Sequence, residues 1–411
     1  MEQTTDRLWT LVRQPTGPLV PYLELFAHLL VEQGFKQKDL GRHIRVAAQF
    51  SRWLASRRVV VEAVTDDHLT RFQQTHWMRR AARQGGVAAL RRLVVLLRRD
   101  GVIPTPTARI HRTPIQEVVE LFGRYLREER ELSERTLVQY CPFAESFLFE
   151  CFGNRVIDLT SLRAQDVIGF ITRHAAHLSP CRAKAATIAL RAFLRYARFK
   201  GEIRIDLASA VPTVPNWSMT GIPRAIAPDH VRAALAHCEL DTPAGSRDYA
   251  ILLLLARLGL RSGEIVSLTL DSIDWERGSI AIVGKGGQAA DLPLPAEVGE
   301  AIARYLRQAR PPCIARQVFL RVNAPIRGLG SYTTISTIVN AALTRARIET
   351  PHRGAHQFRH ALAAEMLRGG ATLTEIGTVL RHRRAKTTAI YAKVDFAALR
   401  PLGLPWPGAA S

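Results

Sequence analysis

Arg261, Lys285, His356, Arg359, His382 and Tyr391 lie in five short segments of the C-terminal half of this 411-residue chain. The segments read Arg257-Leu-Gly-Leu-Arg261-Ser-Gly-Glu264, Val283-Gly-Lys285-Gly-Gly287, His356-Gln-Phe-Arg359-His360, Leu380-Arg381-His382 and Thr387-Thr-Ala-Ile-Tyr391. Together they hold the groups that phosphodiester cleavage without a metal requires. A tyrosine hydroxyl can attack phosphorus in line. Negative charge then builds on two non-bridging oxygens, and fixed cationic donors must meet it. Arginine suits that role because its planar fork gives two parallel hydrogen bonds and stays charged. The leaving 5′-oxygen needs a proton, which a Lys or His of tunable pKa can supply. His356 and His360 also stand at i and i+4, a spacing able to hold zinc. No Glu follows the first His, as a metalloprotease helix demands. No metal or cofactor is therefore expected, and His360 reads as a helix-packing or capping residue.

Composition points to the partner. Lys and Arg number 57 against 36 Asp and Glu, a formal charge of +21. A folded chain this basic is built to meet a polyanion, with nucleic acid first and an anionic membrane surface second. No apolar run is long enough to span a bilayer, and Met1 to Gln14 lacks a signal-peptide core. The expectation is a cytoplasmic, nucleoid-associated protein that does not use a membrane. The five cysteines are scattered and form no CxxC pair, which argues against a disulfide framework or a zinc knuckle.

The elements that must position the six residues follow from Pro-rich breaks and periodicity. One break runs from Pro104 to Pro114, another from Val211 to Pro223. The two segments they delimit look like copies. Glu24-Leu-Phe-Ala-His-Leu-Leu30 aligns with Glu120-Leu-Phe-Gly-Arg-Tyr-Leu126, and Leu90 through Ile103 with Leu190 through Ile203. Each shows helical spacing, and each final helix stops at a Gly. Those final helices are studded with Arg91, Arg92, Arg98 and Arg99 in one copy, Arg191, Arg195 and Arg198 in the other. They are either solvated faces or phosphate-tracking ones. After Ala227 a helix is expected through Ala250 to Leu258, stopping at Gly259, then a short helix near Ser262 to Leu268. Ser279 to Val283 and Ala290 to Leu294 alternate like strands around a Gly-rich turn. The remainder to about Ala398 reads as mostly helical. The fold class is mainly α, with two helical bundles followed by an α+β domain holding a small β-hairpin sheet. The expected boundaries are 1–104, 113–208, 224–398 and a tail at 399–411.

The five segments, in order and at these spacings, resemble the catalytic domain of the tyrosine recombinase, or phage integrase, family. Leu258-Gly-Leu-Arg261 with Glu264 is similar to its first Arg motif, and Lys285 sits where its hairpin Lys sits. His356-x-x-Arg359-His360 matches its His-x-x-Arg motif. His382 and Tyr391 match its second His and its nucleophile. Residues 113 to 203 also resemble the family's SAM-like core-binding bundle. The resemblance implies that Tyr391 attacks to form a 3′-phosphotyrosine, with Arg261 and Arg359 on the non-bridging oxygens. It implies that Lys285 protonates the 5′-oxygen, that His356 manages the tyrosine proton or buttresses the phosphate, and that His382 donates to the phosphate. Glu264 would orient Arg261. Two positions depart: Arg381 stands where Gly is common and Ala361 where a small hydroxyl residue is common. Arg381, Arg383 and Arg384 join Arg91, Arg98, Arg191, Arg195 and Arg198 as DNA-binding candidates. The implied partner is double-stranded DNA, bound by a homo-tetramer or a hetero-assembly with related recombinases. Integration, excision or transposition of a mobile element is the implied task. A catalytically silent architectural subunit and a type IB-like topoisomerase are the alternatives.

Overall fold

The computed structural model describes residues 15–82, 85–104, 113–153, 155–214, 225–284, 287, 289–351 and 353–394. Lys285, the N-terminal residues 1–14, the expected tail at 399–411, and parts of both Pro-rich breaks lie outside them.

The first bundle comprises α1 (Leu23–Glu32), α2 (Gln37–Ala55), α3 (Asp66–Gln73), α4 (His76–Ala82) and α5 (Gly86–Arg99). The second comprises α6 (Pro114–Glu128), α7 (Glu134–Phe152), α8 (Ala164–Ala175) and α9 (Pro180–Phe199). Aligned positions of the two segments are buried alike. Phe26 and Phe122 are both fully buried, as are Leu30 and Leu126, Leu90 and Leu190, Leu93 and Phe193, Ile103 and Ile203. Leu25 and Leu121 are both exposed. Both final helices close alike: Gly101 and Gly201 take positive φ, and the next residue's N–H reaches back to Leu97 and Ala197. This is the six-to-one closure that a left-handed glycine permits.

The third region is built around α11 (Pro243–Arg257), preceded by α10 (Pro228–Ala236). Thr242 Oγ1 caps α11 by accepting from Gly245 N–H, and Pro243 fits its first turn. The stretch Ala250 to Ala256 is buried on every face, so α11 is a core helix rather than an amphipathic one. It begins well before the expected Ala250 because its first turn is polar. Then come α12 (Ser262–Ser267) and an antiparallel sheet of β1 (Ile273–Asp274), β2 (Ser279–Val283) and β3 (Ala289–Pro293) in sequential order. Ile280 and Ile282 face the core from β2, opposite Leu292 and Ala290 of β3. β1 was not expected, since two residues are too few to show alternation. Beyond the sheet lie α13 (Ala296–Arg304), α14 (Tyr332–Arg345), α15 (His356–Arg368), α16 (Leu373–Val379), α17 (Ala385–Thr388) and a 3₁₀ turn at Ala389–Val394.

The chain forms two compact units. The second bundle is one; the first bundle and the third region together make the other. Within that larger unit Ile326 N–H donates to Gln33 O at 2.8 Å. No helix among the described residues is long and apolar enough to cross a membrane.

In the second bundle, Arg191 spends its guanidinium internally. Its Nη2 donates to Val211 O at 2.8 Å and Pro212 O at 3.3 Å. It faces the chain's own carbonyls rather than solvent, because α9 packs beside the segment that follows it. Arg191→Ala is expected to cost about 1–3 kcal/mol of stability by orphaning these carbonyls. Thermal unfolding and a DNA-binding titration measured together check this. A large affinity loss at unchanged Tm would assign Arg191 to DNA instead.

Candidate active site

Gly259 begins the site. Its φ of +55° suits glycine, and a Cβ there would lie 2.8 Å from Leu380 Cδ2. The turn it makes ends α11 and delivers Arg261 to the N-cap of α12. Glu264, at the third position of α12, reaches back to Arg261 N–H at 2.8 Å, the return half of a capping box. The other carboxylate oxygen accepts from Arg261 Nη1 at 2.7 Å. Glu264 is 3% exposed. The expected orienting role thus has a definite geometry: one buried carboxylate holds both the backbone and the guanidinium of Arg261.

Arg359 projects from the first turn of α15 and is 4% exposed. It donates to Gly259 O and to Leu380 O. One guanidinium therefore ties together the loop that carries Arg261 and the loop that carries His382. Burial, and then the neighbouring Arg261 and Arg381, lower its pKa to about 10, so it remains charged at neutral pH.

Tyr391 is 1% exposed, packed with Ala363, Ile376 and Leu380. Its hydroxyl lies 2.8 Å from His360 Nδ1. Burial pushes its pKa up to about 12, with Arg359 opposing. His360 was assigned to packing; the structure instead puts it on the tyrosine hydroxyl. His356 is exposed, its ring centroid 6.4 Å from that of His360. The i, i+4 spacing was the available signal, but it does not say which ring meets a residue 31 positions later.

His382 lies parallel to the Tyr391 ring, with centroids 6.4 Å apart. Its Nδ1 is 2.8 Å from Thr388 Oγ1. Desolvation first, then the Arg359 charge, lowers its pKa to about 4; desolvation and His356 do the same for His360. Both rings are neutral at pH 7.

A cleft of about 810 Å³ opens beside these groups, lined by Arg261, Arg381, His382 and Arg383 on one side and by Gly284 and Ala289 of the hairpin on the other. Lys285, next to Gly284 in the sequence, lies outside the described residues. Tyr391 itself is closed off from solvent at 1% exposure. Of the remaining cations, Arg91, Arg195, Arg383 and Arg384 are exposed. Arg98 pairs with Asp66 at 2.6 Å, Arg198 with Asp206 at 3.5 Å, and Arg257 with Glu297 at 2.8 Å.

The pattern that defines the phage integrase family matches residues 224–398, and that of the phage integrase N-terminal SAM-like domain matches residues 119–201. "Putative integrase/recombinase y4rA" of Sinorhizobium fredii is 47% identical over 403 residues, covering 98% of both chains. "Tyrosine recombinase XerD" of Mycobacterium tuberculosis is 30% identical over 303 residues, which span 69% of this chain and 94% of that protein. The chain belongs to the phage integrase family of tyrosine recombinases. It is a tyrosine-type site-specific recombinase that binds and recombines DNA. Among solved structures, the XerH recombinase bound to palindromic difH substrate superposes with a TM-score of 0.56 at 17% identity, over 70% of this chain and 96% of that one. A lambda integrase (75–356) dimer on a COC′ core site gives 0.53 at 14%, over 72% and 98%. These two likenesses carry the fold.

The depressed histidines make a pH prediction for this recombinase. An unfolded His titrates near 6.5, so the unfolded chain binds protons between about 6.5 and about 4 that His360 and His382 refuse. Stability is therefore lost as pH falls through that window. His360→Gln, which cannot titrate, is expected to flatten the slope of Tm between pH 7 and 4.5. An identical slope in the variant would show that His360 does not contribute.

Proposed function

We propose that the recombinase cleaves and rejoins DNA through a 3′-phosphotyrosine made by Tyr391, in the service of integration, excision or transposition of a mobile element. The observation that carries this reading is the convergence of Arg261, Arg359, His360, His382 and Tyr391, drawn from segments as much as 130 positions apart in the chain.

In this reading Tyr391 Oη attacks the scissile phosphorus, the bond from phosphorus to the 5′-oxygen breaks, and the phenolic proton leaves the tyrosine. His360 holds the hydroxyl through Nδ1. The phenolic proton passes along this hydrogen bond to solvent water, since His360 is too weak a base to keep it. Arg261 and Arg359 neutralise the non-bridging oxygens, and His382 donates to one of them. His356, one turn before His360, buttresses the phosphate. Lys285 gives the 5′-oxygen its proton. Rejoining reverses these steps, and the phosphotyrosine conserves the bond energy, so no nucleotide cofactor is consumed. Because Tyr391 is buried, its segment shifts on binding DNA to bring the hydroxyl to the phosphate. Arg91, Arg195, Arg383 and Arg384 supply exposed phosphate contacts. The working assembly is a homo-tetramer on two sites, or a hetero-assembly with related recombinases.

The test is a nicked suicide duplex carrying the ends of the element, incubated with the purified protein and resolved under denaturing conditions. The expected product is a covalent protein–DNA band that survives heat and detergent, with a free 5′-hydroxyl. Binding without any adduct would replace this reading with a silent architectural subunit. Supercoil relaxation without recombinant product would replace it with a topoisomerase.

A further inference from the structure

Arg381 occupies a costly backbone position. Its φ is +53°, in the left-handed region that a residue with a Cβ adopts only against steric resistance. Glycine would sit there freely, so the side chain must return something to the fold or to the chemistry.

The side chain does not extend into solvent. It is 15% exposed, and its Nη2 donates to Glu264 Oε2 at 3.0 Å. That is the carboxylate that holds Arg261. Arg381 also offers its own carbonyl to Arg261 Nη2 at 3.1 Å. Arg261 is thus fixed from both sides by the pair Glu264 and Arg381. The left-handed turn is what allows this, because it aims the carbonyl of residue 381 at one guanidinium and its side chain at the shared carboxylate. Arg381 lines the cleft with Arg261 and His382, and its Nε is buried with no hydrogen-bond partner.

Charge balance gives the arrangement a chemical meaning. Within the cluster around Glu264, Arg261, Arg359 and Arg381 stand against one carboxylate, leaving two positive charges; without Arg381 that cluster keeps one, beside Arg383 on the same cleft. A phosphodiester carries one negative charge and its phosphorane two. Glu264 alone would cancel most of the benefit of the cation it orients.

We infer that Arg381 is a positioning residue for the cleavage reaction, a third guanidinium that shares Glu264 with Arg261, holds Arg261 toward the phosphate, and restores the positive charge that the carboxylate removes. The inference rests on the phosphotyrosine reading above and adds a residue to it.

The experiment compares wild type, Arg381→Gly and Arg381→Lys as full chains on the nicked suicide duplex. Arg381→Gly relieves the backbone but removes the ion pair to Glu264 and the contact to Val379 O, so its Tm is expected to fall, and rates are compared at a temperature where every variant is folded. Its adduct formation at saturating DNA is expected to slow about 100-fold, with affinity for uncleaved DNA within about threefold. Arg381→Lys keeps the charge without the fork and is expected to recover about tenfold of that rate. On a duplex whose scissile phosphate is an uncharged methylphosphonate, the transition state carries one negative charge fewer. There the Gly penalty is expected to shrink below about tenfold. Arg381→Gly cleaving at the wild-type rate, or a penalty equal on both duplexes, overturns the inference and leaves the phosphotyrosine reading standing. Absence of any adduct from wild type overturns that reading itself.

Discussion

Tyr391→Phe is expected to abolish covalent attachment to DNA, a loss of at least about 10⁴-fold, because no other hydroxyl among the described residues shares its place beside His360. The change removes one oxygen from a ring packed against Ala363, Ile376 and Leu380. It also leaves His360 Nδ1 without that partner, at a cost of about 1 kcal/mol. The variant should therefore fold and bind duplex DNA nearly as wild type does. Adduct formation on the suicide duplex, read beside a binding titration, separates the two properties. Any heat-stable adduct from the Phe variant would remove Tyr391 from the nucleophile's role. A variant that neither folds nor binds would show that the hydroxyl is chiefly structural.

Arg359→Ala is the second large effect, and it acts twice. The guanidinium is the donor to both Gly259 O and Leu380 O, so its loss frees the loops that bear Arg261 and His382. Two buried carbonyls lose a charged donor, which should cost about 2–4 kcal/mol of stability. Cleavage should fall about 10³-fold or more, since in the proposed mechanism one transition-state donor disappears and two others lose their position. Arg359→Lys keeps a positive charge but cannot bridge two carbonyls with a planar fork. It should regain DNA affinity more than rate. Urea unfolding and single-turnover cleavage of both variants test the pair of claims; an Ala variant that cleaves within tenfold of wild type would refute them.

The two effects differ in how far ahead they could be read. Tyr391 stood out by its distance from His382 and the company of Arg261 and Arg359. The double tie made by Arg359 could not be read, because its acceptors are main-chain carbonyls, and every residue carries one. Glu264 shows the intermediate case. Its spacing from Arg261 places both on one turn, so an ion pair was expected. That the same carboxylate also takes Arg381, 117 positions later, follows only from the meeting of two loops. The His360 contact to Tyr391 was hidden for a related reason: helical spacing fixes which residues share a face, not what that face meets. The same limit applies to the arginines of the final bundle helices. Arg191 and Arg195 lie one turn apart, yet one is spent on Val211 and Pro212 carbonyls while the other is exposed.

The helical segments, the glycine stops, the helix through Ala250 to Leu258 and the hairpin strands were legible because each is written in local periodicity and turn chemistry. Residue types likewise determined that two arginines, histidines and a tyrosine could serve phosphoryl transfer. The tertiary structure decided which histidine meets Tyr391, that Tyr391 is buried, and that one carboxylate serves two arginines. Those outcomes depend on backbone carbonyls and a left-handed turn brought together across more than a hundred residues. Side-chain pairing at that range is set by packing geometry, and packing geometry has no period in the sequence.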